Sequence, residues 1–168
     1  MHRGDKEALR QIYEKYRDDL FTVALSLSQD IHTSEDCLQD VFAGLVSSPD
    51  SFQVRSNLKA YLISCVANKA RDRMRQRISH SDVPNEQLSD LMISDDPANG
   101  AISREESGQV LEALSKLPYE QREVFVLHIQ AELKFRQIAK LQNVSIKTVL
   151  SRYRYAIEKL KVIVEKGK

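Results

Sequence analysis

The 168-residue chain predicts an all-α protein. It reads as two small helical domains, a three-helix bundle and a four-helix unit with a helix-turn-helix, joined by a flexible acidic linker. Two observations carry the helices. Only five Gly and four Pro punctuate the chain, while the good helix formers Leu, Ala, Glu, Lys, Arg and Gln are abundant. Apolar residues also recur at spacings of three and four through most of its length. A third observation splits the chain. Between residues 80 and 103 the periodicity fades into an acidic stretch holding Pro84, Pro97 and Gly100, which leaves domains at 1–79 and 104–168.

The first helix carries Leu9, Ile12, Tyr13, Tyr16, Leu20, Val23, Ala24 and Leu27 at helical spacing. "DIHTSED" interrupts it. Thr33 or Ser34 is placed to cap the next helix, with Glu35 and Asp36 in its first turn. That helix turns Cys37, Leu38, Val41, Phe42 and Leu45 inward, and "SSPDS" ends it. The third helix buries Leu58, Tyr61, Leu62, Cys65, Val66, Ala70 and Met74, and the three close a bundle. In the linker, Leu88, Leu91, Met92 and Ile93 are apolar enough to dock on something.

The second domain opens with a helix carrying Val110, Leu111, Leu114 and Leu117. Pro118 suits the first turn of the next, whose inner face is Val124, Leu127, His128 and Ala131. A short helix with Phe135, Ile138, Ala139 and Leu141 follows. "QNVS" makes a tight turn with Asn143 at its left-handed position. Ser145 then caps a long helix with Val149, Tyr153, Ala156, Ile157, Leu160 and Val164 on one side. Two helices joined by so short a turn, the second one basic, form a helix-turn-helix pattern.

The formal net charge of +1 averages over opposed segments. Residues 51–80 hold seven basic and one acidic side chain, and residues 145–168 hold seven and two. Residues 1–50 hold five basic and ten acidic, and residues 81–107 one and seven. Two separate basic blocks point to a polyanion met twice.

Each block has a plain alternative. The helix-turn-helix alone fits a DNA reader or a core hairpin with solvated charges. In its favour as a reader, Lys147, Thr148, Ser151 and Arg152 face outward at the start of the second helix, and such groups donate to phosphates and base edges. The run Arg71, Arg73, Arg75 and Arg77 exceeds the one or two cations that a helix C-terminus stabilises. Arg71 and Arg75 form one stripe, Arg73 and Arg77 another about 200° of rotation away. With only Asp72 to offset them, they call for an anionic partner.

Other functions find little support. Cys37 and Cys65 form no CxxC pair and read as buried free thiols. The four histidines show no ligand spacing, so neither a metal nor a cofactor is implied. No phosphate loop, nucleophile elbow or paired-carboxylate site is present, so no catalytic residue is assigned. No apolar run approaches the roughly 20 residues of a membrane span. The N-terminus has no signal-peptide core, and a cytoplasmic location is the expectation.

Together these stretches resemble an extracytoplasmic-function sigma factor, the class that carries only the second and fourth conserved sigma regions. "SEDCLQDVF" is similar to the family's polymerase-gripping stretch, "NLKAYLISCVANKARDRMRQR" to its −10 melting helix, and residues 111–160 to its −35-binding region. The resemblance implies docking on core RNA polymerase through Asp36, Gln39, Asp40 and Phe42. It implies −10 contacts by Asn68, Lys69, Arg71, Asp72, Arg75 and Arg77, aided by the loop "SPDSFQVRS". It implies −35 contacts by Lys147, Thr148, Ser151, Arg152, Arg154 and Tyr155. An anti-sigma factor is a further implied partner, beside core polymerase and promoter DNA. The chain departs from the pattern at Leu150, Tyr155 and Ile157, where basic residues are common, and at Asn143, where glycine is usual. A conventional helix-turn-helix regulator and a protein-binding adaptor are the alternatives.

Overall fold

A computed structural model describes residues 3–47, 57–80 and 101–167, with side chains from residue 6 and, in the last span, from residue 105. The described residues are helical, without strands. The loop 48–56 and linker residues 81–100 lie outside them, and with them the docking role expected of Leu88, Leu91, Met92 and Ile93. The chain divides into two compact units, Met1–Asp82 and Val83–Lys168.

The first unit packs α1 (Arg3–Ser28), α2 (Ile31–Ser47) and α3 (Leu58–His80) against one another. The apolar stripe of α1 is buried only in its C-terminal half, at Leu20, Val23, Ala24 and Leu27. Tyr13 is half exposed and meets the ring of Phe42 edge-on, 4.9 Å between centroids. Gln29 adopts a left-handed φ of 59° to turn the chain.

The cap of α2 is not Thr33 or Ser34 but Asp30. Its carboxylate accepts the Thr33 backbone N–H at 2.9 Å and the Thr33 hydroxyl as well. The cap falls one turn earlier than expected because Asp is as good an N-cap as Ser or Thr. Ser34 is instead fully buried, its hydroxyl 2.7 Å from the Asp30 carbonyl and 3.0 Å from the Ser28 hydroxyl.

The inner face of α3 is also rotated from the expected one. Leu62, Ile63, Val66, Ala67 and Ala70 are buried, Tyr61 is exposed, and Leu58, Cys65 and Met74 are partly covered. Ile63 and Ala67, both fully buried, take the places expected of Tyr61 and Cys65. Both thiols are free, but only Cys37 is buried. Desolvation, partial at Cys65, pushes both thiols upward in pKa.

The second unit comprises α4 (Ala101–Ser115), α5 (Tyr119–Phe125), α6 (Phe135–Gln142) and α7 (Ile146–Lys166). Pro118 stands just before α5 rather than inside it. From Val126 to Gln130 the helix continues as a single π-turn, in which the Ala131 N–H reaches the Val126 carbonyl at 3.2 Å. His128, expected inside, is half covered. Its ring stacks on Phe135 at 4.0 Å and meets Tyr153 edge-on at 5.1 Å.

Of the apolar residues assigned inward, Val110 and Val164 are exposed, at 49% and 54%. Both line a groove of about 750 Å³ between α4 and α7. The assigned residues Leu111, Leu114, Leu117, Val124, Leu127, Ile138, Val149 and Ala156 do form the core, joined by Val126 and Leu133 from outside the expected faces.

Two buried charged residues escaped the periodicity. Arg122 lies under the end of α4 and donates to the carbonyls of Leu114 at 2.9 Å, Leu117 at 3.2 Å and Ser115 at 3.4 Å. It thereby satisfies carbonyls that a helix end leaves without intrahelical partners. Glu123, 1% exposed, accepts from Gln142 Nε2 at 2.7 Å.

Candidate nucleic-acid interface

The two arginine stripes of α3 have different fates. Asn68, Arg71, Asp72 and Arg75 fall at i, i+3, i+4 and i+7, which puts them on one face of the helix. Asn68, Asp72 and Arg75 are exposed, Arg71 partly so, and the Arg71 guanidinium reaches Asn68 Oδ1 at 3.3 Å. Lys69 is exposed beside them.

Arg73 and Arg77 turn toward α2. Arg73 is bonded to Asp40 at 2.7 Å and lies 3.4 Å from Asp36. Arg77 pairs with Asp30 at 2.9 Å and donates to the Thr33 hydroxyl at 3.1 Å. The expectation that only Asp72 offsets the cluster is therefore corrected: three carboxylates from the start and first half of α2 do so. Residues 33 to 47 positions apart in sequence meet here, and helical periodicity within one element cannot show such a pairing.

The hydrogen bond to Asp40 raises the Arg73 pKa, against partial desolvation. At Asp30, partial burial pushes the carboxyl upward. The Thr33 bonds and the Arg77 charge outweigh it and leave the pKa below its ordinary 3.8.

On α2, Asp36, Gln39 and Asp40 share the outward face, with Asp40 the most covered of the three. Phe42 does not join them. It is 8% exposed and packs inward against Tyr13, so α2 uses it as core.

The helix-turn-helix forms as its residues dictate. Asn143 takes a left-handed φ of 53° at the end of α6. Ser145 caps α7 by accepting the Thr148 N–H at 3.2 Å. Thr148 is partly covered, and its hydroxyl lies 3.0 Å from that of Ser145. Arg152 also turns inward, donating to Gln142 Oε1 at 2.8 Å. Since Gln142 donates to Glu123, a relay Glu123–Gln142–Arg152 ties α5, α6 and α7 together. Lys147, Ser151, Arg154 and Tyr155 remain on the exposed arc, with the Arg154 guanidinium 5.3 Å from the centre of the Tyr155 ring. Arg136 and Lys140 of α6 add two exposed cations beside the turn, at a shallow depression that also includes Asn143 and Ser145.

A basic helix face in one unit and a basic helix-turn-helix in the other form an arrangement suited to nucleic acid. Among the described residues, no group of His, Cys, Asp and Glu could hold a metal ion, and no helix is long and apolar enough to cross a membrane.

The comparisons with known proteins agree with this arrangement. The family profile "Sigma-70 region 2" matches residues 12–78, and "Sigma-70, region 4" matches residues 107–160. The ECF RNA polymerase sigma factor SigW of Bacillus subtilis is 25% identical over 168 residues, covering 95% of this chain and 90% of its own. SigM of the same bacterium is 26% identical over 164 residues, covering 94% and 95%. Among solved structures, the sigma factor RpoE in complex with the anti-sigma factor NepR from Bartonella quintana superposes with a TM-score of 0.75 at 26% identity, over 95% of this chain and 98% of that one. CnrH, solved with the cytosolic domain of CnrY, shares the fold at a TM-score of 0.69 and 23% identity, over 97% and 91%. With both family regions present, in order and within the two helical units, the chain belongs to the extracytoplasmic-function group of the sigma-70 family.

Proposed function

We propose that this sigma factor opens promoters with the Asn68–Arg75 face of α3 and anchors upstream duplex with the exposed arc of α7. As a member of its family, it directs core RNA polymerase to promoters and itself makes or breaks no covalent bond. The observation that carries the residue assignment is the division of the α3 arginines. Arg71 and Arg75 lie on the outward stripe beside Asn68 and Asp72, while Arg73 and Arg77 are bonded to α2.

In this reading the −10 non-template strand lies along Asn68, Lys69, Arg71, Asp72 and Arg75. The cations hold phosphates, while Asn68 and Asp72 offer both hydrogen-bond polarities to a base drawn out of the stack. Arg77 moves from the direct contacts to the brace between α3 and α2. At the −35 element, Lys147, Ser151, Arg154 and Tyr155 face the major groove, while Thr148 and Arg152 shape the helix that carries them. Asp36, Gln39 and Asp40 meet a basic surface of the polymerase. The likeness to RpoE, solved with an anti-sigma factor, supports a protein of that kind as a further partner.

Transcription by purified core polymerase, with and without the chain, on promoters enriched from a random library tests the reading. New start sites that depend on the chain are expected. If the chain neither binds polymerase nor yields such starts, the reading is wrong.

A further inference from the structure

The exposed arc of α7 contains two residues whose chemistry phosphate contact does not use. At 3.6 residues per turn the arc runs, in order around the axis, Ile146, Leu150, Arg154, Lys147, Ser151 and Tyr155. Val149 and Ala156, both fully buried, mark the opposite side. Ile146 is 42% exposed and Leu150 is 45% exposed. They are four residues apart, so they form a continuous apolar stripe over the first two turns, along one edge of the cationic face.

Single apolar residues on a surface need no explanation. A paired stripe at the leading end of a basic recognition helix is different, because that is the part of a helix-turn-helix that enters the major groove. The groove floor offers donors and acceptors and one apolar group, the 5-methyl of thymine. Neither Ile146 nor Leu150 can exchange hydrogen bonds with the other base-edge groups, and each would desolvate a donor or acceptor placed against it.

Resting on the assignment of α7 to the −35 element, we propose that Leu150, supported by Ile146, is a specificity-determining residue that reads thymine through its 5-methyl group. The cations beside it on the arc, Arg154 and then Lys147, seat the helix by holding phosphates, and Ser151 contributes a hydroxyl that accommodates any base edge. The stripe then sets which base pair is tolerated under the first turns of α7. The preferred −35 sequence carries a thymine, on either strand, at that base pair.

The test replaces each −35 thymine of a library-enriched promoter by deoxyuridine in turn, which removes only the methyl group. Affinity is measured for polymerase carrying the full-length chain. One replacement is expected to weaken wild-type binding by about fourfold, the worth of one buried methyl group. With Leu150→Ala the same replacement has no further effect. A second variant, Leu150→Lys, keeps a long side chain at an exposed site. It is expected to lose the methyl discrimination and to steepen the salt dependence by about one unit of log–log slope, since it adds a phosphate contact.

Equal deoxyuridine effects in wild type and Leu150→Ala, or none in either, overturn the proposal. Failure of the underlying reading looks different: base-pair changes throughout the −35 element then leave binding unchanged.

Discussion

Asp30 joins three parts of the first unit. It caps α2 through Thr33, its own carbonyl receives the buried Ser34 hydroxyl, and its carboxylate holds Arg77 of α3. Its folded-state pKa lies below the ordinary 3.8. The stabilisation tied to its charge is therefore complete above that value and is lost as pH falls through the lower, folded one. Asp30→Asn keeps an acceptor suited to the N-cap but removes the titrating charge. Thermal melts of the two proteins should differ near neutral pH by the equivalent of no more than about 1 kcal/mol for so exposed an ion pair. The gap should close on acidification below 3.8; a gap that persists in acid means that the charge is irrelevant. At this scale, what the sequence revealed depended on range. Ser145 as a cap and Asn143 as a left-handed turn residue were legible because each acts on backbone within a few positions. The Asp30 cap lost out to a neighbouring Thr and Ser of equal aptitude. The relay Glu123–Gln142–Arg152 was invisible, because a buried carboxylate and a distant arginine look like surface charge until three helices bring them together.

At the scale of the element, α3 divides its labour by angle. The side toward α2 is neutralised by Asp30, Asp36 and Asp40, so four arginines do not mean four phosphate contacts. Each cation on a single strand contributes about 0.7 to the log–log salt slope. On a pre-opened bubble promoter, Arg71→Gln and Arg75→Gln should each flatten that slope by about 0.7, while Arg73→Gln and Arg77→Gln leave it unchanged. Four equal changes would mean that α2 surrenders its arginines when DNA arrives. On a closed promoter, Arg75→Glu should cut the opening rate by more than tenfold with polymerase affinity intact, as read by permanganate reactivity beside a binding assay. Parallel loss of both would make α3 merely structural. The sequence showed this helix's core-to-cation gradient but placed its buried face wrongly, exchanging Ile63 and Ala67 for Tyr61 and Cys65. The stretch is apolar nearly all round in its first half, so periodicity leaves its rotation open by about one residue, and packing against α1 and α2 settles it.

For the whole molecule, the fold class and the order of the helices were readable from breaker scarcity and periodicity, because each helix announces its own apolar stripe. The motifs that mark the family were readable for the same reason: each is contiguous. On the proposed reading the two units act at separate promoter elements, and the length of chain between them then chiefly sets an effective concentration. Doubling a flexible connection costs about 0.6 kcal/mol. Inserting some 20 Gly and Ser residues after Asn99 should accordingly weaken promoter binding by the polymerase-bound chain about threefold. A far larger loss would show that the acidic stretch itself grips the polymerase. Length changes inside the helices are normally another matter, since one residue more or less turns everything beyond it by about 100°. The π-turn at Val126–Gln130 is the exception. Its Val126–Ala131 bond spans one residue more than an α-helical bond does, and Ile129 within it is 50% exposed. Deleting Ile129 restores ordinary helical spacing, and the chain should still fold and direct transcription, whereas deleting the fully buried Val124 nearby should abolish both. On that expectation, the second unit holds a place where a codon can be lost without loss of the fold.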